Sequence, residues 1–237
     1  MKKVALVTGG TRGIGLAIAS ALAEAGYEVV ATARHAPQHA LPAGISFLPC
    51  DVAQPDAVLA LFEQVRGAHG RIDVLVNNAG IAGADRLGDP LDPAWDASLA
   101  TNLSGAYRCT QAALPLFPPE GGRVVFMASV LGLRAVPDQI AYVAAKHGVV
   151  GLAKAFALAL APRGITSNAL CPGWVDTVMA RQRFGELGID AETARAGVPT
   201  RAILTPQEVA AAVLYLCSDA ARNVTGHAMV LDGGATA

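Results

Sequence analysis

Short apolar runs alternate with longer segments of helical periodicity along almost the whole chain. Apolar runs bounded by glycine, proline or polar residues predict buried strands. The alternation of such strands with helices predicts an α/β fold, with one doubly wound parallel sheet of about seven strands and helices on both faces. The predicted strands are Val4–Val7, Tyr27–Ala33, Ile45–Cys50, Ile72–Val76, Val124–Met127, Ile165–Leu170 and Ala228–Leu231. The predicted helices are Gly13–Ala25, Pro55–Ala68, Ala94–Leu116, Gln139–Ala161 and Pro206–Ser218.

One segment does not follow this alternation. Residues Val178–Leu204 have mixed polarity and weak periodicity, so a mobile insertion is predicted there. The rest of the chain shows no internal repeat, low-complexity tract or linker. Residues 1–237 are therefore expected to form a single domain.

Composition narrows the class of protein. Hydrophobic residues make up 53% of the chain and aromatic residues 5%, so the core is expected to consist of Ala, Val and Leu. The net charge of -1 gives no argument for nucleic acid or an anionic membrane as a partner. No apolar run has transmembrane length, and the histidines show no metal-ligand spacing. The four cysteines lack CxxC spacing and are expected to be buried thiols of a cytoplasmic protein: Cys50, Cys109, Cys171 and Cys217.

The first predicted strand runs into a glycine-rich turn. The turn reads Thr8-Gly9-Gly10-Thr11-Arg12-Gly13-Ile14-Gly15, and a predicted helix follows it. Glycines in this place let the backbone approach a pyrophosphate, which the helix N-terminus stabilises. The position predicts a Rossmann-type dinucleotide site. The alternative is a turn that only closes a strand–helix junction.

The tip of the second strand is expected to determine which dinucleotide binds. An acidic residue there would bind the ribose 2′-hydroxyl, whereas an arginine would accept a 2′-phosphate. The strand ends at Arg34 with no carboxylate, and Arg12 lies in the glycine-rich turn. These arginines favour NADP(H) over NAD(H). The alternative is that both are solvated surface side chains.

Tyr142 and Lys146 are candidates for proton transfer. Their spacing places them one turn apart on the same face of a helix. A nearby cation would favour the phenolate and lower the pKa of the tyrosine towards neutral pH. Ser129 follows a predicted strand, where its hydroxyl would meet a carbonyl oxygen. Taken alone, the pair is equally typical of a helix with an interfacial tyrosine and a solvated lysine.

These motifs occur in one order with Asn77-Asn78-Ala79-Gly80, Asn102 and Pro172-Gly173. Together they resemble the short-chain dehydrogenase/reductase family, from about residue 3 to residue 234. The resemblance implies that Asn102 binds a water that links Lys146 to solvent. It also implies cofactor contacts for Gly9, Thr11, Arg12, Gly13, Ile14, Gly15, Arg34, Asp51, Val52, Asn78, Ala79, Gly80, Tyr142, Lys146, Pro172, Gly173, Val175 and Thr177. Two alternatives stay open: Asn102 as a helix-surface or capping amide, and Asp51 as only a helix N-cap.

The resemblance also implies a mechanism. Lys146 would hold the nicotinamide ribose and lower the pKa of Tyr142, while Ser129 would orient the substrate oxygen. Tyr142 would then protonate the oxygen as the carbonyl is reduced, or deprotonate the alcohol in reverse. The hydride chemistry belongs to the cofactor. The second class of function is a non-catalytic dinucleotide-binding redox sensor, although such a protein would be expected to have lost one of these residues.

The segments around Tyr142 and Trp174 further resemble 3-oxoacyl and polyketide ketoreductases and 3-hydroxybutyrate dehydrogenases. The first group fits the NADP(H) reading, and the second, usually NAD-dependent, is the alternative. Arg123 and Arg163 fall near positions that contact an acyl-carrier protein in some relatives. The 178–204 segment would be a substrate lid, and the family expectation is a homotetramer, with a dimer second. The residues expected to line the substrate pocket are Leu131, Val136, Pro137, Trp174 and Met179.

Overall fold

A computed structural model describes residues 2–237, and in this part of the chain seven parallel strands form one sheet. The strand order is β3-β2-β1-β4-β5-β6-β7, which confirms the predicted doubly wound sheet. The chain order reverses between β1 and β4, which lie next to each other, and ligands of such sheets bind at this switch point. The strands are β1 Val4–Thr8, β2 Glu28–Ala33, β3 Ile45–Pro49, β4 Val74–Asn77, β5 Gly122–Met127, β6 Ile165–Pro172 and β7 Ala228–Leu231.

The central strands are buried because helices cover both faces of the sheet, and most of their residues are apolar. In β6 the polar side chains of Ser167 and Asn168 are buried and donate hydrogen bonds to Ala153 O and Val224 O. Every residue of β1 and of β6 is buried. Helices α1 and α8 pack on one face, and α2, α4 and α5 pack on the other. The helices are α1 Gly13–Glu24, α2 Pro55–His69, α3 Pro93–Ser98, α4 Gly105–Ala113, α5 Ile140–Leu160, α6 Val178–Leu187, α7 Ala191–Ala196 and α8 Pro206–Cys217.

The long helix predicted over Ala94–Leu116 is not one regular helix. It consists of α3, a π-helical turn at Leu99–Ser104, α4 and a 3-10 turn at Leu114–Leu116. π-helical turns inside helices are rare and often occur at functional sites. Asn102 lies within this turn.

The segment predicted to be a mobile insertion, residues 178–204, contains α6 and α7. Thr177 and Asp190 cap these helices, accepting hydrogen bonds from Ala180 N and Thr193 N. Their apolar side chains form a small cluster of their own, in which the Trp174 and Phe184 rings meet edge to face at 4.9 Å. The weak periodicity of this segment follows from its packing, because its apolar side chains form a local cluster and not part of the main core. Its mobility stays a prediction.

Two further findings concern composition. All four cysteines are free and buried, as predicted. One helix, Ile140–Arg163, is long and apolar enough to span a membrane by length and composition alone. Within the described residues, that helix contacts β6 and β5 and carries the buried Lys146, as expected of a core helix.

Candidate active site

Four strand ends and one helix bring the candidate residues together. The turn after β1 carries the glycines, and Asn78–Gly80 follow β4. Ser129 follows β5, and Pro172–Thr177 end and follow β6. Helix α5 places Tyr142 and Lys146 against these strand ends, which form the carboxyl edge of the sheet. The topology alone therefore assembles the predicted residues at the switch point.

The glycine-rich turn is closely packed and accepts only glycine at key positions. Gly9 and Gly13 have φ values of 65° and 53°, in the left-handed region. A Cβ atom at Gly15 would lie 2.0 Å from the Gly9 carbonyl oxygen. Among the described residues, no side chain caps α1 and its first turn holds no acidic residue. The free N–H groups of this helix end fit the pyrophosphate of a dinucleotide.

Asn78 holds this turn in place from the end of β4. Its Nδ2 donates to the carbonyl oxygens of Thr8 at 2.9 Å and Gly9 at 3.2 Å. The Thr8 hydroxyl in turn accepts from Asn78 N at 2.9 Å and from Ala79 N at 3.0 Å. The amide of Asn78 is thus committed to the backbone of the glycine-rich turn. Its contribution to a cofactor site is to fix the shape of that turn.

Ser129, Tyr142 and Lys146 lie close together. The Ser129 hydroxyl is near enough to the phenol of Tyr142 to act on its pKa. Ser129 Oγ also accepts from Leu131 N at 3.1 Å, so its own proton is free to be donated outwards. Lys146 Nζ donates to the Met127 carbonyl oxygen at 2.6 Å and lies 5.5 Å from the centre of the Tyr142 ring.

The pKa of Tyr142 does not move as predicted. Burial raises it from 10.0 to about 12, and the nearby Ser129 hydroxyl only partly opposes this. Burial also lowers the pKa of Lys146 from 10.5 to about 8, with the neighbouring Cys171 acting in the opposite direction. The expected lowering of the tyrosine pKa by the lysine is therefore wrong here. The ammonium is directed at Met127 and at the ring face, and desolvation of both groups dominates.

Asn102 is buried and its side chain is almost fully used. Oδ1 accepts from Ile81 N, and Nδ2 donates to Ile81 O and to Ser98 Oγ, each at 2.9 Å. It is therefore neither a surface amide nor a helix cap. A Cβ atom at Gly80 would lie 2.9 Å from Asn102 Oδ1 and 3.8 Å from Lys146 Nζ, so this glycine separates the two side chains. One lone pair of Oδ1 remains for a water.

The remaining predicted cofactor residues divide into two groups. Asp51 accepts from Ala53 N at 3.0 Å in a local turn, while Gln54 is the residue before α2, so Asp51 is not its N-cap. The buried Val52 packs against Gly105. In the second group, Pro172, Gly173, Val175 and Thr177 follow one another at the end of β6. Their segment reaches the glycine-rich turn, where a Cβ atom at Gly13 would lie 3.8 Å from the Thr177 methyl group.

Arg12 and Arg34 both lie exposed near the tip of β2. The glycine-rich turn is joined to this tip by a hydrogen bond from Gly10 N to Thr32 O, at 3.1 Å. Neither arginine forms an ion pair or a side-chain hydrogen bond with another residue among those described. Both guanidinium groups are therefore available to an anionic ligand.

The cavity beside Tyr142 has walls that the sequence did not predict. It holds about 190 Å³ and is formed by the loop after β4, by α3 and by the start of α5. None of the five residues predicted to line a substrate pocket borders it. Its small side chains leave the space open, and one carboxylate reaches it. The lining residues are Ile81, Ala82, Gly83, Asp85, Ala94, Ser98, Ala141 and Tyr142.

Sequence reasoning also missed three charged residues around this cavity. Asp85 accepts from Ala141 N at 3.2 Å and so supplies the cap that α5 otherwise lacks. Asp85 N donates to Asp138 O at 3.1 Å, and the Asp138 carboxylate pairs with Arg183 of α6. These contacts join residues 45 to 56 positions apart, so no local signal could have revealed them.

Comparison with known proteins agrees with this geometry. A family model described as enoyl-(acyl carrier protein) reductase matches residues 9–236. A 3beta-hydroxysteroid dehydrogenase of Mediterraneibacter gnavus is 38% identical, over 99% of this chain and 95% of that protein. A D-beta-hydroxybutyrate dehydrogenase of Rhizobium meliloti is 37% identical over the whole of both chains. A solved structure of a variant actinorhodin polyketide ketoreductase with NADPH superposes with a TM-score of 0.90, at 36% identity, over 99% of this chain and 97% of that one.

Proposed function

The chain belongs to the short-chain dehydrogenase/reductase family of oxidoreductases that act on ketones and alcohols, and from that premise we propose that it interconverts a ketone and a secondary alcohol with NADP(H). The observation that carries the proposal is the convergence of Ser129, Tyr142 and Lys146 on one point of the carboxyl edge. When bound, the nicotinamide supplies or accepts the hydride. The chain supplies the donors and the proton.

The protein's part begins with two hydroxyl groups. The Ser129 oxygen accepts a hydrogen bond from Leu131 N, and its O–H remains available as a donor to a substrate carbonyl oxygen. Tyr142, whose pKa is raised to about 12, carries its proton at neutral pH and donates it to the oxygen as negative charge develops there. The ammonium of Lys146 stabilises that charge and retains two donors besides the one bound to Met127.

The cofactor would bind along the residues already described. The glycine-rich turn and the N-terminus of α1 would hold the pyrophosphate, and Lys146 would hold the nicotinamide ribose. Pro172, Gly173, Val175 and Thr177 would hold the carboxamide. Asp51, Val52, Asn78, Ala79 and Gly80 would form the adenosine side.

Preference for NADP(H) is supported by the two free guanidinium groups of Arg12 and Arg34. Replacing Arg34→Asp should lower the NADPH-to-NADH ratio of kcat/KM by about tenfold or more, since a charge-assisted hydrogen bond to phosphate contributes about 1.5–3 kcal/mol. Arg222→Asp, at an exposed site after α8, is the matched control. An unchanged ratio in Arg34→Asp contradicts the NADP(H) proposal.

The substrate class proposed is a ketone of the 3-oxoacyl type. The relatives act on hydroxyl or carbonyl groups in steroids, hydroxy acids and polyketides, by their names. Delivery by an acyl carrier protein finds less support. Arg123 is mostly buried and bound to Gly122 O, Ser218 O and Asp219, so only Arg163 presents a guanidinium to solvent. The second candidate is a 3-hydroxybutyrate-type dehydrogenase, which the relative from Rhizobium meliloti favours.

The deciding experiment is Tyr142→Phe, which removes the proton donor and keeps the ring. Reduction of a panel of ketones and 3-oxo esters, followed by loss of nicotinamide absorbance, should fall at least about 100-fold. Cofactor affinity, measured by calorimetry, should change little. Tyr215→Phe, an exposed tyrosine on α8, is the matched control. Substantial residual activity in Tyr142→Phe would contradict the proton-donor role.

We also propose a homotetramer in the cytoplasm. A groove of about 510 Å³ runs between α4 and α5 on the surface, with Gly148, Gly151 and Leu152 on its α5 side. Leu158, further along α5, is 83% exposed. An apolar face of this kind is expected to pair with a copy of itself. The four free, buried cysteines fit a reducing compartment.

A further inference from the structure

Arg183 is a nearly buried cation that is already paired within the chain. Its side chain is only 11% exposed. One guanidinium nitrogen contacts the carboxylate of Asp138, and Nη1 lies 2.9 Å from Glu186 Oε2, three residues later on α6. Breaking either contact would leave a buried charge less well compensated, which is costly. The guanidinium is therefore committed to these two carboxylates.

This pairing is connected to the cavity beside Tyr142 through Asp85, the one residue of the network that lines it. Asp138 lies four residues before Tyr142, and its backbone oxygen accepts from Asp85 N. The Asp85 carboxylate borders the cavity and binds Ala141 N. The hydrogen bond from Arg183 lowers the pKa of Asp138, so this group is a carboxylate at neutral pH. The contacts connect α6, the segment before α5 and the loop after β4 in one network.

The network carries more negative than positive charge. The carboxylates of Asp85, Asp138 and Glu186 and the guanidinium of Arg183 give a formal charge of −2. Other cations lie nearby. The Lys146 ammonium is 5.5 Å from the centre of the Tyr142 ring and, counted with the network, leaves a formal charge of −1. Arg86 and Arg134 are exposed, and Arg181 is 65% exposed and pairs with Asp176 at 3.2 Å. Arg183 is thus balanced within the network. Solvent screens the exposed arginines and, in part, the carboxylates of Asp138 and Glu186, which are 42% and 43% exposed.

We propose that this network makes the enzyme select uncharged carbonyl substrates, such as 3-oxo esters and thioesters, over the corresponding carboxylate anions. The inference rests on the proposed ketone reductase activity and adds the charge class of its substrate. A substrate carboxylate near Tyr142 would meet net negative charge. To bind Arg183 it would have to displace Asp138 or Glu186, and like charges placed together oppose binding.

The test compares ethyl acetoacetate with acetoacetate, which share the reacting ketone and differ in one charge. At about 0.15 M salt, where screening extends over about 8 Å, kcat/KM should favour the ester by at least about tenfold. Asp138→Asn should reduce this ratio, and the double variant Asp138→Asn/Glu186→Gln should reduce it about tenfold or more, mainly through KM for the acid. Glu192→Gln, exposed on α7, removes one charge in the same segment and should leave the ratio unchanged.

Two outcomes overturn the proposal. One is a wild-type enzyme that accepts acetoacetate as well as the ester. The other is a ratio that stays constant in the double variant. Calorimetry of both compounds on the enzyme saturated with NADP+ gives the same comparison without turnover. Tighter binding of the ester without reduction of either compound would contradict the proposed activity while supporting the charge selection, so the two failures are distinguishable.

Discussion

Replacement of Lys146 by methionine should stabilise the fold while it abolishes catalysis. Lys146 is 5% exposed, and burial lowers its pKa from 10.5 to about 8. At about 1.4 kcal/mol per pH unit, this corresponds to about 3 kcal/mol of unfolding free energy lost at neutral pH. The hydrogen bond from Lys146 Nζ to Met127 O stabilises the folded state by about 1 kcal/mol and so offsets part of this loss. Lys146→Met should therefore raise the free energy of unfolding at pH 7 by about 2 kcal/mol.

The pH dependence identifies the cause of this effect. Because the folded pKa of Lys146 is lowered, its destabilisation is complete below about pH 8 and disappears as the pH rises towards 10.5. The advantage of the variant should therefore shrink by about 1.4 kcal/mol per pH unit between about pH 8 and 10.

Other groups also titrate in this range. Burial raises the thiol pKa values of Cys50, Cys109, Cys171 and Cys217, and the resulting loss of stability at high pH affects both proteins. It cancels in the difference for Cys50, Cys109 and Cys217. It does not cancel completely for Cys171, whose pKa the Lys146 ammonium lowers.

The assay is urea unfolding at one fixed protein concentration, since assembly makes the apparent stability concentration-dependent. Lys146→Met and the wild type are compared at several pH values, with ketone reduction measured in parallel. A variant that is less stable at pH 7 would refute the reasoning, as would a stability difference that does not vary with pH. Either result would mean that the Lys146 ammonium is hydrated, or that it is stabilised by more than its hydrogen bond to Met127 O.

Three further changes test other parts of the structure. Gly15→Ala should destabilise the protein by about 1–3 kcal/mol or more and abolish cofactor binding by calorimetry, because its Cβ would lie 2.0 Å from Gly9 O; unaltered binding would contradict the tight turn. Ser129→Ala should lower ketone reduction about 100-fold with little change in cofactor affinity, and equal losses in both would indicate a structural role. Gly151→Arg, at a site where an added Cβ meets nothing within 4 Å in one subunit, should shift the light-scattering mass to a smaller species, whereas Gly67→Arg on α2 should not; a tetramer that persists in Gly151→Arg would contradict the proposed interface.

The fold was predictable because β1, β4 and β5 each contain a continuous apolar run, as expected of strands buried on both faces. The predicted bounds of β1 and β6 differ from the observed ones by no more than two residues, although β6 includes three polar residues, Thr166 to Asn168. The candidate catalytic residues were found from their positions in the chain: Ser129 follows a strand, and Tyr142 and Lys146 lie one helical turn apart. Local spacing and strand ends sufficed to bring Ser129, Tyr142 and Lys146 together.

The features that the sequence did not reveal depend on contacts between distant segments. The π-helical turn at Leu99–Ser104 keeps a helical pattern, and it is distinguished only by the bonds of Asn102 to Ile81, 21 positions away. Helices α6 and α7 pack mainly on each other, so their pattern carries no sheet-facing stripe. The spacing of Tyr142 and Lys146 in the sequence also gives no information on how deeply their side chains are buried. Burial therefore reversed the expected direction of the tyrosine pKa.

The candidate site combines several features that stabilise nothing by themselves. Lys146 lies buried with its charge, Gly9 and Gly13 adopt left-handed conformations, and α1 begins without a side-chain cap. An apolar residue at 146 and a capped helix would make a more stable protein. All of these features lie at the carboxyl edge beside the switch point, where a dinucleotide and its substrate would meet. Their common location is a physical argument for catalysis that is independent of any relative. The proposed selectivity depends on a different set of contacts, because Arg183 and Asp138 touch neither hydroxyl and would act only through the charge of their network.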